Sequence, residues 1–150
     1  MYERVIVPLN GSAAAEQALP HAVEIARRFG ASITLVRTVI SRRQAYTETM
    51  TATTPDLSAD VAQRRHAAAW DAAHRYLTAV QQRLQAAGLP VTIRVAEGSV
   101  AIAVRDAASG GALVCMAAHR RRRWRPFGGS VSRDILRAVD APVLVIRARA

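Results

Sequence analysis

Five short apolar runs with helix-length segments between most of them constrain this chain more than any other feature. They read RVIVPL (4–9), SITLVRTVI (32–40), PVTIRVA (90–96), ALVCMAA (112–118) and PVLVIRA (142–148). The first is rich in β-branched residues and bounded by the turn signal NGS, as expected of a strand buried on both faces of a sheet. Helical patterns fill the intervals at Ala13–Phe29, about 59–87, 99–109 and 130–139. In the first, Leu19, Ala22, Val23, Ala26 and Phe29 recur every three or four residues, and Gly30 follows as a stop. Pro20 contradicts that pattern locally, because a proline in mid-helix removes a hydrogen bond and kinks the axis. Strands alternating with helices pair as right-handed βαβ units, so the expected fold class is α/β: one domain over 1–150, an open parallel sheet with helices on both faces. The segment 41–58, rich in threonine and without periodicity, is predicted to be a flexible surface loop.

In such a sheet, ligands bind outside the carboxyl ends of the strands, where the strand order reverses. Three loops should converge there: LNGS after the first strand, the region after Val39, and HRRRRWRP (119–126) after the fourth. The last of these raises the question of charge. The chain carries a net charge of +10, and all 21 of its basic residues are arginine. The absence of lysine excludes a lysine Schiff base and a P-loop lysine. Guanidinium groups present paired donors to oxyanions, so the arginine loop is a candidate for phosphate, for nucleic-acid backbone with Trp124 as a stacking surface, or for no ligand at all. An arginine-only basic complement also fits G- and C-rich coding, which makes overall charge a weak argument for nucleic acid. The segment GGSVS (128–132) opens the last helix; its two glycines allow close approach, Ser130 can cap, and the first-turn amides face an anion.

Catalysis has little support. No G-x-S-x-G nucleophile pattern occurs, and the eleven acidic residues are scattered without an obvious acid/base pair, Glu97 and Asp106 included. His66 and His74 stand eight residues apart on one predicted helix and are poorly placed to share a metal; His119 is the one histidine expected at the binding edge. The single cysteine, Cys115, lies in an apolar run and reads as a small hydrophobe. No secretory leader and no run of eighteen apolar residues is found, so the expected compartment is the cytoplasm, with no membrane contact.

Taken together, RVIVPLNGSAAAEQALPHAVEIARRFGASITLVRTV, EGSVAIAV, and ALVCMAAH followed by GGSVSRDILRAVDAPVLVIR resemble the universal stress protein family over nearly the whole chain outside 41–60. Pro20 fits the resemblance, since members often carry a proline there. The resemblance implies a Rossmann-like sheet of five parallel strands in the order 3-2-1-4-5. It also implies a homodimer formed through the last strand, Pro142 to Arg147, and a role in stress regulation. ATP-binding members carry an aspartate in the first loop and a later signature of glycine, two residues, glycine, nine residues, then glycine with serine or threonine. Here Asn10 replaces the aspartate, Ala117 and Arg120 replace the first two glycines, eight residues separate Arg120 from Gly129, and Ala112 stands where an aspartate often precedes the fourth strand. Pro8, Gly11, Ser12, Gly129, Ser130, Val131 and Ser132 match, and Thr38 falls near the adenine-contacting position.

The expectation is therefore a degenerate nucleotide site. Its ligand contacts are Pro8, Asn10, Thr38, His119, Gly129, Ser130, Val131 and Ser132, with Arg120 and Arg121 on phosphates. ATP is the expected cofactor, magnesium enters only with ATP, and no metal ligand or catalytic residue is expected beyond slow incidental hydrolysis. The alternative is a member without ATP that turns loop 119–125 to an acidic protein or, less favoured, to nucleic acid. A small flavoprotein with the same sheet type is a further rival.

Overall fold

The structure, a computed structural model, describes residues 1–44, 47, 55–119 and 131–149. Its strands are β1 (Arg4–Pro8), β2 (Ser32–Val39), β3 (Val91–Glu97), β4 (Ala112–His119) and β5 (Val143–Ala148), and its helices are α1 (Ala13–Glu16), α2 (Leu19–Phe29), α3 (Pro55–Ala86), α4 (Val100–Ala107) and α5 (Val131–Ala138). All strand pairs are parallel, in the order β3-β2-β1-β4-β5. The order reverses between β1 and β4, which places the crevice where the sequence expects it.

Because side chains alternate along a strand, each strand contributes to two cores. On one face Val5, Val7, Leu9, Ile33, Leu35 and Cys115 pack against Leu19, Ala22 and Ala26 of α2 and Leu77, Val80 and Leu84 of α3. On the other, Ile6, Val36, Val114 and Met116 pack against Val104 of α4 and Ile135 and Val139 of α5. Helices α1 to α3 thus cover one face, and α4 and α5 the other.

Two local expectations are corrected. The segment 13–29 is not one helix with a mid-helix proline. It breaks at Gln17 and Ala18, and Pro20 sits in the first turn of α2, where a missing N–H costs no intrahelical bond. The predicted loop 41–58 is helical at its described ends. Residues 42–44 form a turn in which the Gln44 N–H donates to Ser41 Oγ at 3.2 Å, and α3 starts at Pro55, where a proline again suits the first turn. The rest of that segment lies mostly outside the described residues.

Cys115 is fully buried, and its thiol donates to the Ala18 carbonyl at 3.6 Å. Burial pushes the thiol up to about 11. Its thiolate fraction at pH 8 should therefore be about a hundredfold below that of an exposed thiol. A thiol reagent at pH 8 should label Cys115 only in denaturant; rapid labelling of the folded protein would contradict this burial.

Candidate functional site

At the carboxyl edge of β1 the chain turns sharply through Asn10, Gly11 and Ser12. The Ser12 N–H and Oγ–H donate to Asn10 Oδ1 at 3.0 and 2.7 Å, while Ser12 Oγ accepts from the Ala15 N–H at 3.1 Å and caps α1. Since the Ser12 N–H can only donate, the Asn10 carbonyl must face it, and both of its lone pairs are in use. What Asn10 leaves open is its carboxamide N–H pair. Gly11 has φ +86°, and a β-carbon there would stand 3.1 Å from Arg37 Nη1.

Arg37, near the end of β2, links this turn to the helical layer. Its guanidinium carbon lies 5.0 Å from the centre of the Tyr76 ring, a cation–π contact with α3. The Tyr76 hydroxyl donates to Glu16 Oε1 at 2.8 Å, and Arg83 Nη2 donates to Glu16 Oε2 at 3.0 Å. Burial first, then the bond to Glu16, raises the Tyr76 hydroxyl above the ordinary phenol range. A continuous chain of contacts thus runs from the first loop into α3.

The expected contact residues divide into three groups. Pro8 ends β1 and Asn10 follows it in the turn, Thr38 lies near the end of β2, and His119 ends β4 opposite Ala148, so the register brings these positions to one sheet edge. Val131 and Ser132 form the first turn of α5; Val131 is exposed and Ser132 half-buried. Arg120, Arg121, Gly129 and Ser130 lie outside the described residues, as do the other arginines of the loop after β4.

The histidine expectation needs a correction. His66, not only His119, reaches this edge: its side chain is buried against Glu97, the last residue of β3, with Nε2 2.9 Å from Glu97 Oε1. The approach is off the line a hydrogen bond requires, so Nε2 has no satisfied partner. Nothing in the spacing reveals this pairing, because it depends on where α3 crosses the end of β3. Arg37 and Tyr76 were likewise missed; each reads in sequence as an ordinary strand or helix residue.

Magnesium takes an octahedral shell of oxygens, commonly including a carboxylate. The first loop has none, its carboxamide oxygen is spent on Ser12, and no group of three or more His, Cys, Asp or Glu able to hold a metal occurs among the described residues. Among the described residues the donor set does not fit a resident divalent ion. A second depression, of about 510 Å³, lies toward the opposite ends of the strands, lined by Arg4, Thr34, Thr92, Arg94 and Ser109 among others. Its arginines serve the end of α4: Arg4 Nη1 donates to the Ala107 carbonyl and Arg94 Nη1 to that of Asp106, at 3.2 and 3.4 Å. Cations at the negative end of a helix account for them without a ligand.

Among the described residues no helix is long and apolar enough to cross a membrane. A comparison with curated proteins gives no match. Solved structures share the fold. The universal stress protein UspA from Lactobacillus plantarum is 24% identical, with 97% of this chain and 98% of that chain covered and a TM-score of 0.69. The universal stress protein from Archaeoglobus fulgidus in complex with dAMP is 19% identical, covering 97% and 98%, with a TM-score of 0.55. A universal stress protein family protein from Arabidopsis thaliana with AMP bound is 17% identical, covering 98% and 92%, with a TM-score of 0.56. The sequence pattern of the Universal stress protein family matches residues 1–147, and with the 3-2-1-4-5 sheet and the Asn10–Ser12 turn at its switch point, the chain belongs to that family.

Proposed function

We propose that this protein is a regulatory, stress-response domain that binds an adenine nucleotide at the switch-point edge and does not turn it over beyond slow hydrolysis. The observation that carries the reading is the Asn10–Gly11–Ser12 turn, locked by two hydrogen bonds and set at the strand ends where nucleotides bind in open parallel sheets. Relatives with this fold hold AMP and dAMP. The donors left open on Asn10 favour a ligand rich in acceptors, and the absence of a fitting metal set favours binding without magnesium.

In this reading the protein is cytoplasmic and dimeric. The edge strand β5 leaves Leu144 36% and Val145 43% exposed, one on each face of the sheet, beside an edge that no other described strand pairs with and that a second copy would cover. The arginine loop as a contact for an acidic protein or nucleic acid is the less favoured reading.

Calorimetric titration of AMP and of ATP, each with magnesium or with a chelator, tests the proposal. Saturation at one nucleotide per chain, insensitive to the chelator, is the expected result. No heat and no thermal protection from either nucleotide would overturn it.

A further inference from the structure

Arg4 and Arg37 are the two described arginines that are half-buried. Arg4 donates to two acceptors, the Ala107 carbonyl and Ser109 Oγ. Among the described residues Arg37 donates to no acceptor; its guanidinium lies against the face of Tyr76. None of its guanidinium N–H groups is shut away from water, so they stay open to solvent or to a ligand. It is also held against the Tyr76 ring, and its Nη1 lies 3.1 Å from where a β-carbon on Gly11 would stand. Asn10, whose carboxamide N–H pair has no acceptor among the described residues, precedes Gly11 in the same loop, and the carboxylate Glu16 is taken up by Tyr76 and Arg83.

We infer that Arg37 is an oxyanion-binding residue of the first-loop site, its guanidinium taking phosphate oxygens of the ligand beside Asn10. This rests on the nucleotide reading above and deepens it by assigning a phosphate contact to the first loop, apart from the arginines that follow β4. A planar guanidinium held in place suits this task because little freedom is lost when the paired hydrogen bonds form.

The test compares AMP with adenosine, which lacks the phosphate, in the wild-type protein and in Arg37→Met, whose thioether retains contact with the Tyr76 ring. In the wild type AMP should bind about 10- to 100-fold more tightly than adenosine, the range expected for charge-assisted bonds to phosphate. In the variant that ratio should fall to near one. Arg37→Lys, which keeps the charge but not the paired donors, should retain part of the ratio. An undiminished ratio in Arg37→Met would overturn the inference while leaving the nucleotide site standing.

A measurement on the wild type alone guards against a variant that fails to fold. AMP, adenosine and inorganic phosphate are each tested for protection of Arg37 against phenylglyoxal, read by peptide mass mapping. AMP should protect and adenosine should not; equal modification with and without AMP, at a concentration at which calorimetry shows AMP bound, would overturn the inference. Protection by inorganic phosphate with no binding of AMP or adenosine would keep the oxyanion role but defeat the nucleotide reading. Absence of protection by any of the three, together with no calorimetric binding of AMP or ATP, would defeat both.

Discussion

Truncating Leu77 to alanine is expected to lower the unfolding free energy by about 3 kcal/mol, within the range of about 2–5 kcal/mol for buried leucines. Leu77 is fully buried in the core between α3 and the sheet, with Val80, Leu84 and the β2 residues Ile33 and Leu35. The missing atoms would leave a cavity that two rigid layers cannot readily close. For a chain of this size the loss corresponds to a fall in Tm of roughly 6–12 °C. Ile102→Ala is the matched control: Ile102 is also apolar and helical but is 49% exposed, and its truncation should cost less than about 1 kcal/mol. Denaturant titration of both variants checks the pair. A loss below about 1 kcal/mol for Leu77 would mean that α3 does not dock as described.

The contrast between those two residues also shows which parts of the molecule are legible in sequence. Strands β1 and β4 stand out because their apolar runs are continuous, and they are continuous because both faces are covered. Helix α3 is harder to read. Its buried stripe, Ala62, His66, Ala73, Leu77, Val80 and Leu84, keeps helical spacing, but half of its members are alanine or histidine, which give a weak apolar signal. The first turn of α3 and the break before Pro20 were misread for the same reason. Proline tells where a helix cannot continue, and whether it also marks where one begins depends on the tertiary contacts of the turn before it.

The candidate site was legible where it is built from turn chemistry. Asn-Gly-Ser after a strand announces a tight turn, and the structure supplies one. The parts that were not legible come from side chains that meet only because α3 lies across β2 and β3: Arg37 with Tyr76, and His66 with Glu97. Resemblance directed attention to the aspartate that is missing at position 10. The structure adds that the asparagine there has its oxygen taken up by Ser12, so that on the proposed reading a ligand would meet its N–H donors.

Replacing Gly11 with valine is expected to cost about 2 kcal/mol of stability and to weaken AMP binding at least tenfold, as measured by denaturant titration and calorimetry. Two causes act together, and they can be separated. The backbone at position 11 is left-handed, φ +86°, which costs an L-residue roughly 1–2 kcal/mol and a β-branched one more. The new β-carbon would also stand 3.1 Å from Arg37 Nη1. Because that atom ends a flexible side chain, Arg37 can retreat, so the contact should cost little stability but should displace the guanidinium from its place beside the loop. Gly98 provides the comparison: its φ is +85°, and beyond its chain neighbours no atom of the described residues lies within 4 Å of the position its β-carbon would take. Gly98→Ala should therefore show the backbone penalty alone, with AMP affinity near that of the wild type. Gly11→Ala should show a similar stability loss together with weaker binding, and in an Arg37→Met background its added effect on binding should vanish. If Gly11→Ala instead matched Gly98→Ala in both measurements, the approach of Arg37 to the first loop would have no part in recognising the ligand.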